Sequence, residues 1–100
     1  MMNNYFIILA SGQSKRFNSS KPKQFIKYKN KALFEHSLDK ALKSKLFKKI
    51  IIVTNDKKQI KKKYSKDVLI IKGGKERSDS SLIALKFIKK YKPNNVLIHD

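Results

Sequence analysis

Residues 5–16 read YFIILASGQSKR, an apolar run that passes directly into a loop of small and polar residues. The run over residues 5–9 predicts a buried strand. Small side chains at Ala10, Ser11 and Gly12 let successive backbone N–H groups approach an anion closely, and Arg16 and Lys23 add full positive charge further along the loop. The stretch therefore predicts a phosphate-binding loop, with an ordinary strand-to-loop turn flanked by solvated lysines as the alternative.

Outside this stretch, short apolar runs alternate with longer amphipathic ones, which is typical of βαβ units around a parallel sheet. Strands are predicted over residues 5–9, 50–54, 68–71 and 96–99. The fold class is therefore α/β, a Rossmann-like three-layer α/β/α arrangement with a mostly parallel sheet. Residues 22–31 are predicted to form a loop, with a short extended piece over residues 25–28.

Three helices are predicted between the strands. The first covers residues 33–44, where apolar side chains recur on one face. A short helix is predicted over residues 57–64, although its many lysines repel one another. The third follows Gly73 and Gly74, with Ser78 or Asp79 capping its first turn and Pro93 ending it. Its predicted buried stripe consists of Leu82, Leu85, Ile88 and Tyr91.

Length and composition exclude several classes of protein. One hundred residues suit a single domain, and the absence of cysteine excludes disulfides and thiolate metal sites. The longest apolar run covers residues 5–10, whereas a membrane-spanning helix needs about 18 or more apolar residues. Residues 1–4 carry no basic side chain of a secretory signal. The sequence therefore predicts a cytoplasmic protein with no membrane association.

The net charge of +18 first suggests a nucleic-acid-binding module. However, 23 of the 25 basic residues are lysines, and only Arg16 and Arg77 are arginines. Planar, bidentate recognition of phosphate or guanine favours arginine, and the lysines occur in every region of the chain. We therefore interpret most of the charge as a solvated lysine surface and keep nucleic-acid binding as an alternative function.

Two further loops carry polar groups at the ends of predicted strands. The sequence GGKERSDS occupies residues 73–80 after the third strand, and His99 and Asp100 end the fourth. Right-handed crossovers place the loops after strands one, three and four at the carboxyl edge of the sheet, where open α/β folds bind ligands. We therefore expect these three loops to surround one ligand. His99 alternates with Asp100 along the strand, so it is predicted to be a packed strand residue, and His36 a structural helix residue.

Four motifs occur in order: a small-small-Gly loop with an arginine, Pro-Lys-Gln at residues 22–24, Gly-Gly-x-Glu-Arg-x-Asp-Ser, and a strand ending in His-Asp. Together they resemble the 2-C-methyl-D-erythritol 4-phosphate cytidylyltransferase family of isoprenoid precursor synthesis. The resemblance runs along all 100 residues. It implies that residues 1–100 are the amino-terminal part of a single nucleotidyltransferase domain, truncated after the fourth strand. Such a piece alone is expected to be inactive.

The resemblance also implies roles for individual residues. Arg16 and Lys23 would be catalytic, stabilising charge at the α-phosphate of CTP, and Asp100 would be a ligand of Mg²⁺. The nucleotide-binding residues would be Ala10, Ser11, Gly12, Gly74, Lys75 and Ser80. The partners implied are CTP, a sugar-alcohol phosphate and, in the full-length protein, a second copy in a homodimer. Nucleic acid and membranes are not among them.

Two positions depart from the family pattern. Ser14 replaces a common glycine, and Lys75 stands where the family usually has an acidic residue near the cytosine amino group or ribose. A lysine side chain cannot accept a hydrogen bond from that amino group, so either the backbone of Lys75 recognises the base or the nucleotide preference has changed. The alternatives to the first function are a ribitol-5-phosphate cytidylyltransferase and a regulatory nucleotide-binding domain without catalysis.

Overall fold

The computed structural model describes residues 3–11, 26–75 and 77–99, and in Arg77 the backbone only. Two α-helices and six strands are present in these segments. In chain order they are β1 (Asn4–Ala10), β2 (Lys27–Tyr28), β3 (Lys31–Ala32), α1 (Leu33–Ser44), β4 (Lys49–Thr54), β5 (Val68–Ile71), α2 (Arg77–Ile88) and β6 (Asn95–His99). The four predicted strands and both longer helices are therefore confirmed.

Four strands form a parallel sheet in the order β5-β4-β1-β6. Ile7 in β1 pairs with Ile51 of β4 on one side and with Ile98 of β6 on the other. The strand order reverses beside β1, because the chain first adds β4 and β5 on one side and then crosses to add β6 on the other. In open α/β sheets this reversal marks the crevice where ligands bind, beyond the carboxyl ends of the strands.

Side chains of the central strand alternate between two apolar clusters on opposite faces of the sheet. Phe6 and Ile8 pack with α1 on one face. Tyr5, Ile7 and Leu9 pack with α2 on the other. Both faces of β1 are buried, which is why its sequence is an unbroken apolar run. The result is the predicted three-layer α/β/α arrangement.

Helix α1 has the boundaries that the sequence predicts. A carboxylate oxygen of Glu35 accepts the Ala32 N–H at 3.2 Å, which satisfies one of the free donors at the start of the helix. Lys45 ends the helix in the left-handed conformation, with φ of 57°. Its N–H donates to the carbonyl oxygen of Leu42 at 3.3 Å, so a lysine here does what glycine more often does.

The predicted buried stripe of α2 is wrong in part. Ile88 is buried, but Leu82 and Leu85 are 53% and 40% exposed, and the fully buried positions nearer the start of the helix are Ser80 and Ala84. Apolar residues lie on several sides of α2, so periodicity alone did not single out the face that meets the sheet. The helix begins at Arg77, which places the predicted capping residues inside its first turn.

Two connections also differ from prediction. Residues 57–64 form two 3₁₀ turns, Lys57–Gln59 and Lys62–Tyr64, in place of one helix. The predicted loop before α1 contains an antiparallel hairpin of β2 and β3. Lys29 and Asn30 turn the hairpin with φ of 50° and 67°, the positive values that tight two-residue hairpin loops require. The sequence lacks a glycine here, which is why the turn was missed.

A buried tyrosine connects the second 3₁₀ turn to α1. The Tyr64 O–H donates to Asp39 at 2.8 Å and lies 3.5 Å from Glu35. Asp39 also accepts from Lys31 at 2.7 Å, and Lys61 forms an ion pair with Glu35 at 3.1 Å. Burial and the Asp39 hydrogen bond raise the pKa of Tyr64. Burial of Asp39 opposes its ionisation, but hydrogen bonds from Lys31 and Tyr64 outweigh it and lower the pKa of Asp39.

We expect Tyr64→Phe to lower the free energy of unfolding by about 1–2 kcal/mol, because it removes the hydrogen bond from a buried tyrosine to the partly buried Asp39 carboxylate. The folded-state pKa of Asp39 is lowered, so its contribution is present above the unfolded pKa and is lost as pH falls through the folded value. The folded-state pKa of Tyr64 is raised, so its contribution is lost only as pH rises above about 10. Urea unfolding of wild type and variant at pH 7 and pH 3 measures the Asp39 contribution. An equal difference between wild type and variant at the two pH values would contradict the role of Asp39.

Candidate nucleotide site at the carboxyl edge

The loops after β1, β4 and β5 meet at the carboxyl edge of the sheet. Ser11 follows directly on β1, and its Oγ lies 2.6 Å from the Oγ of Ser80, in the first turns of α2. Ser80 is completely buried. A buried hydroxyl without a partner would be costly, so this contact fixes the start of α2 against the end of β1.

Two successive glycines complete the arrangement. The Gly74 N–H donates to the Oγ of Ser80 at 3.1 Å. The Gly73 N–H donates to the side-chain oxygen of Asn55 at 3.1 Å. Asn55 is the first residue after β4, so hydrogen bonds run continuously from the loop after β4, through the glycines and Ser80, to the end of β1.

Gly73 has no room for a side chain. A Cβ at this position would lie 2.5 Å from the Oγ and 2.8 Å from the Cβ of Ser11, and 2.8 Å from the Oγ of Ser80. Real Cβ atoms essentially never make contacts under 3.0 Å. The close approach of the two loops therefore requires glycine here for steric reasons.

Five of the predicted site residues lie in the described part of the chain. Ala10 is the buried last residue of β1, Ser11, Gly74 and Ser80 are linked as above, and Lys75 is exposed beside them. Gly12, Arg16, Lys23 and Asp100 lie outside the described residues. The structure thus brings together the first two of the three predicted loops.

His99 ends β6 and packs on the α1 face of the sheet. Its Nε2 lies 2.8 Å from the Oγ of Ser37, and its ring lies 6.1 Å from that of Phe6. His99 is therefore a packed strand residue, as predicted. It lines an apolar groove of about 310 Å³ together with Phe47 and Leu97. This groove is on the face opposite α2 and is separate from the Ser11–Ser80 contact.

His36 has a structural contact, as its position in α1 predicts. Its Nε2 lies 2.7 Å from the carbonyl oxygen of Tyr28, which holds the β2–β3 hairpin against the helix. Within residues 3–11, 26–75 and 77–99, no group of three or more His, Cys, Asp or Glu side chains is arranged to hold a metal ion. In the same segments, no helix combines the length and the apolar character needed to cross a bilayer.

The sequence from residue 5 to residue 100 matches the family model of 2-C-methyl-D-erythritol 4-phosphate cytidylyltransferase, IspD. The chain belongs to the IspD family. Its strand order and the contact between its glycine loop and the end of β1 are therefore features of an IspD-family chain.

IspD relatives come from several bacteria. Over 99% of this chain, a bifunctional enzyme IspD/IspF of Pelagibacter ubique is 52% identical. A 2-C-methyl-D-erythritol 4-phosphate cytidylyltransferase of Thermosipho melanesiensis is 39% identical over 97% of the chain. The chain covers 27% and 46% of these two relatives, so it spans less than half of their length. The solved structure of bifunctional IspDF from Campylobacter jejuni matches 86% of the chain and 23% of its own length, with a TM-score of 0.69 and 32% identity.

One site residue escaped the sequence analysis. Asn55 holds the glycine loop through the Gly73 N–H, yet neither spacing nor the motifs singled it out. Its position was the available signal: it directly follows a predicted strand, and asparagine side chains at such points commonly bind nearby backbone groups.

Proposed function

We propose that the full-length protein transfers CMP from CTP to 2-C-methyl-D-erythritol 4-phosphate and releases pyrophosphate. The match to the IspD family over residues 5–100 carries this proposal. The geometry supports it, because the small-residue loop after β1 and the Gly-Gly loop after β5 lie side by side at the edge where open α/β sheets bind ligands.

In this reaction an oxygen of the sugar phosphate forms a bond to the α-phosphorus of CTP. The bond from that phosphorus to the oxygen bridging to the β-phosphorus breaks, and its electron pair leaves with pyrophosphate. Negative charge grows on the oxygens of the α-phosphate in the transition state, so cations held beside it stabilise that state most. We assign this role to Arg16 and Lys23.

We propose Asp100 as the protein ligand of a Mg²⁺ ion bound with the triphosphate. A carboxylate oxygen suits this hard cation, which keeps several waters and takes few protein ligands when phosphates supply the rest. When bound, the ion would neutralise part of the triphosphate charge.

We assign the nucleoside part of CTP to Ala10, Ser11, Gly12, Gly74, Lys75 and Ser80. Ser11 and Ser80 share one hydrogen bond, and Ser80 also accepts the Gly74 N–H. If Ser80 donates to Ser11 in this contact, the hydrogen of the Ser11 hydroxyl can be donated to an acceptor on the ligand. At Lys75 the backbone would contact the nucleotide, because the ammonium group has no acceptor.

The proposed partners are CTP, the sugar-alcohol phosphate and a second copy of the full-length chain, in the cytoplasm. Residues 1–100 alone should show no turnover, since the IspD relatives are more than twice as long as the portion matched here. We also propose that neither nucleic acid nor a membrane is a partner.

The test is pyrophosphate release by the full-length protein with CTP and either of two sugar phosphates. We expect turnover with 2-C-methyl-D-erythritol 4-phosphate to exceed turnover with ribitol 5-phosphate by at least about 100-fold, since a site built for one polyol leaves polar groups unpaired with the other. Parallel assays with UTP, ATP and GTP measure base preference in the presence of Lys75. A clear preference for ribitol 5-phosphate would overturn the assignment.

A further inference from the structure

The Asn55 side chain acts where the backbone pairing of two strands ends. The β4–β5 ladder runs to Val53 and Ile71. Two residues further along each strand, Asn55 faces Gly73, and its side-chain oxygen accepts the Gly73 N–H at 3.1 Å. A side chain thus continues the connection between the two strands into the loop.

A hydrogen bond between the two neighbours of Asn55 stabilises the turn after β4. The Asp56 N–H donates to the Oγ of Thr54 at 3.1 Å, and Thr54 is buried. Asn55 is therefore flanked by a residue fixed in the core and by one tied back to it. Its side chain is exposed, so it contributes little to the packing of the core.

The Gly73–Gly74 loop is held at two points in the described structure. Asn55 holds the Gly73 N–H on the β4 side, and Ser80 holds the Gly74 N–H on the α2 side. Because Gly73 lies directly against Ser11, its position sets the spacing between the two loops. Of these two hydrogen bonds, the one from the Gly74 N–H to Ser80 remains when the Asn55 side chain is removed.

We propose that Asn55 is a positioning residue for nucleotide binding, acting through the Gly73 N–H. The inference rests on the proposed function, in which the Gly73–Gly74 loop contacts CTP. Asn55 does not itself touch the reacting atoms. It keeps the Gly73–Gly74 loop close to Ser11 before CTP binds. Less conformational entropy is then lost on binding, which increases the affinity for CTP.

The experiment compares Asn55→Ala with wild type in the full-length protein. Loss of one hydrogen bond should raise the Kd and KM for CTP about fivefold, with kcat at saturating CTP and the KM for the sugar phosphate changed less than twofold. The Gly73 amide should lose protection from hydrogen exchange. Asn55→Asp keeps an acceptor oxygen and should retain that protection.

Asn95→Ala is the matched control. Its side chain donates one hydrogen bond, to Asn4 at 3.0 Å, at the opposite end of the sheet, and its loss should leave CTP binding unchanged. An unaltered Kd for CTP in Asn55→Ala would overturn the proposal. So would an equal effect on both substrates together with a lower unfolding midpoint, which is the signature of a general structural role. Wild-type protein that transfers no CMP but binds CTP would overturn the proposed function alone, and wild type that binds no CTP would overturn both.

Discussion

Lys23→Ala in the full-length protein is expected to lower kcat by about 100-fold or more, the usual effect of removing a preset charge contact in a transition state. Lys23 belongs to the Pro-Lys-Gln motif at residues 22–24. Lysine is a compact point charge that can follow an oxygen moving during phosphoryl transfer. The KM for CTP should change much less than kcat, because charge on the α-phosphate increases mainly in the transition state. Steady-state pyrophosphate release measures both constants.

Arg16→Ala should give a loss of the same order, and Lys27→Ala provides the control. Lys27 is an exposed lysine in β2, four residues after Lys23. Its replacement by alanine removes one positive charge, as Lys23→Ala does, from a side chain with no proposed contact to the nucleotide. Its kcat should stay within about twofold of wild type, since exposed charges are screened by solvent. Near-wild-type turnover of Lys23→Ala would refute its catalytic assignment.

Gly73→Ala is expected to weaken CTP binding by about 10- to 100-fold. The new methyl group would lie 2.8 Å from the Cβ of Ser11, which is attached directly to the backbone and cannot rotate away. The two loops must therefore separate, and forcing an extra carbon into a packed contact typically costs about 1–3 kcal/mol. Isothermal titration with CTP measures the loss.

Lys72→Ala is the control for this loop. Lys72 is the exposed residue before Gly73, and alanine there introduces no clash because it replaces a larger side chain. Its Kd for CTP should stay within about threefold of wild type, the change expected for one screened charge. If Gly73→Ala binds CTP as tightly as Lys72→Ala does, the spacing between the loops does not determine nucleotide affinity.

The sequence predicts best those strands and helices whose apolar pattern fits one arrangement in the fold. β1 is apolar throughout because both of its faces are buried, and α1 shows one apolar face because it packs on one layer. The errors lie where several arrangements satisfy the same pattern. Leu82 and Leu85 fit a buried stripe as well as Ala84 does, and only the fit against the sheet decides which is buried.

In the candidate site, too, some residues could be predicted from the sequence and others could not. The sequence motifs predicted that the backbone approaches a ligand closely at two places. These are the small residues at the end of β1 and the Gly73–Gly74 pair. Asn55 carries no such pattern, because its function depends on a partner 18 residues away in the chain. Arg16, Lys23 and Asp100 stay predictions from the sequence.

By itself the sequence determined the fold class, the order of the strands along the chain, and membership in the IspD family. These depend on local periodicity and on motifs that are read in chain order. Only the tertiary structure decided which face of α2 is buried, how closely Gly73 approaches Ser11, and that Asn55 holds the glycine loop. Those properties depend on distances between segments far apart in the chain, which packing sets and no local pattern encodes.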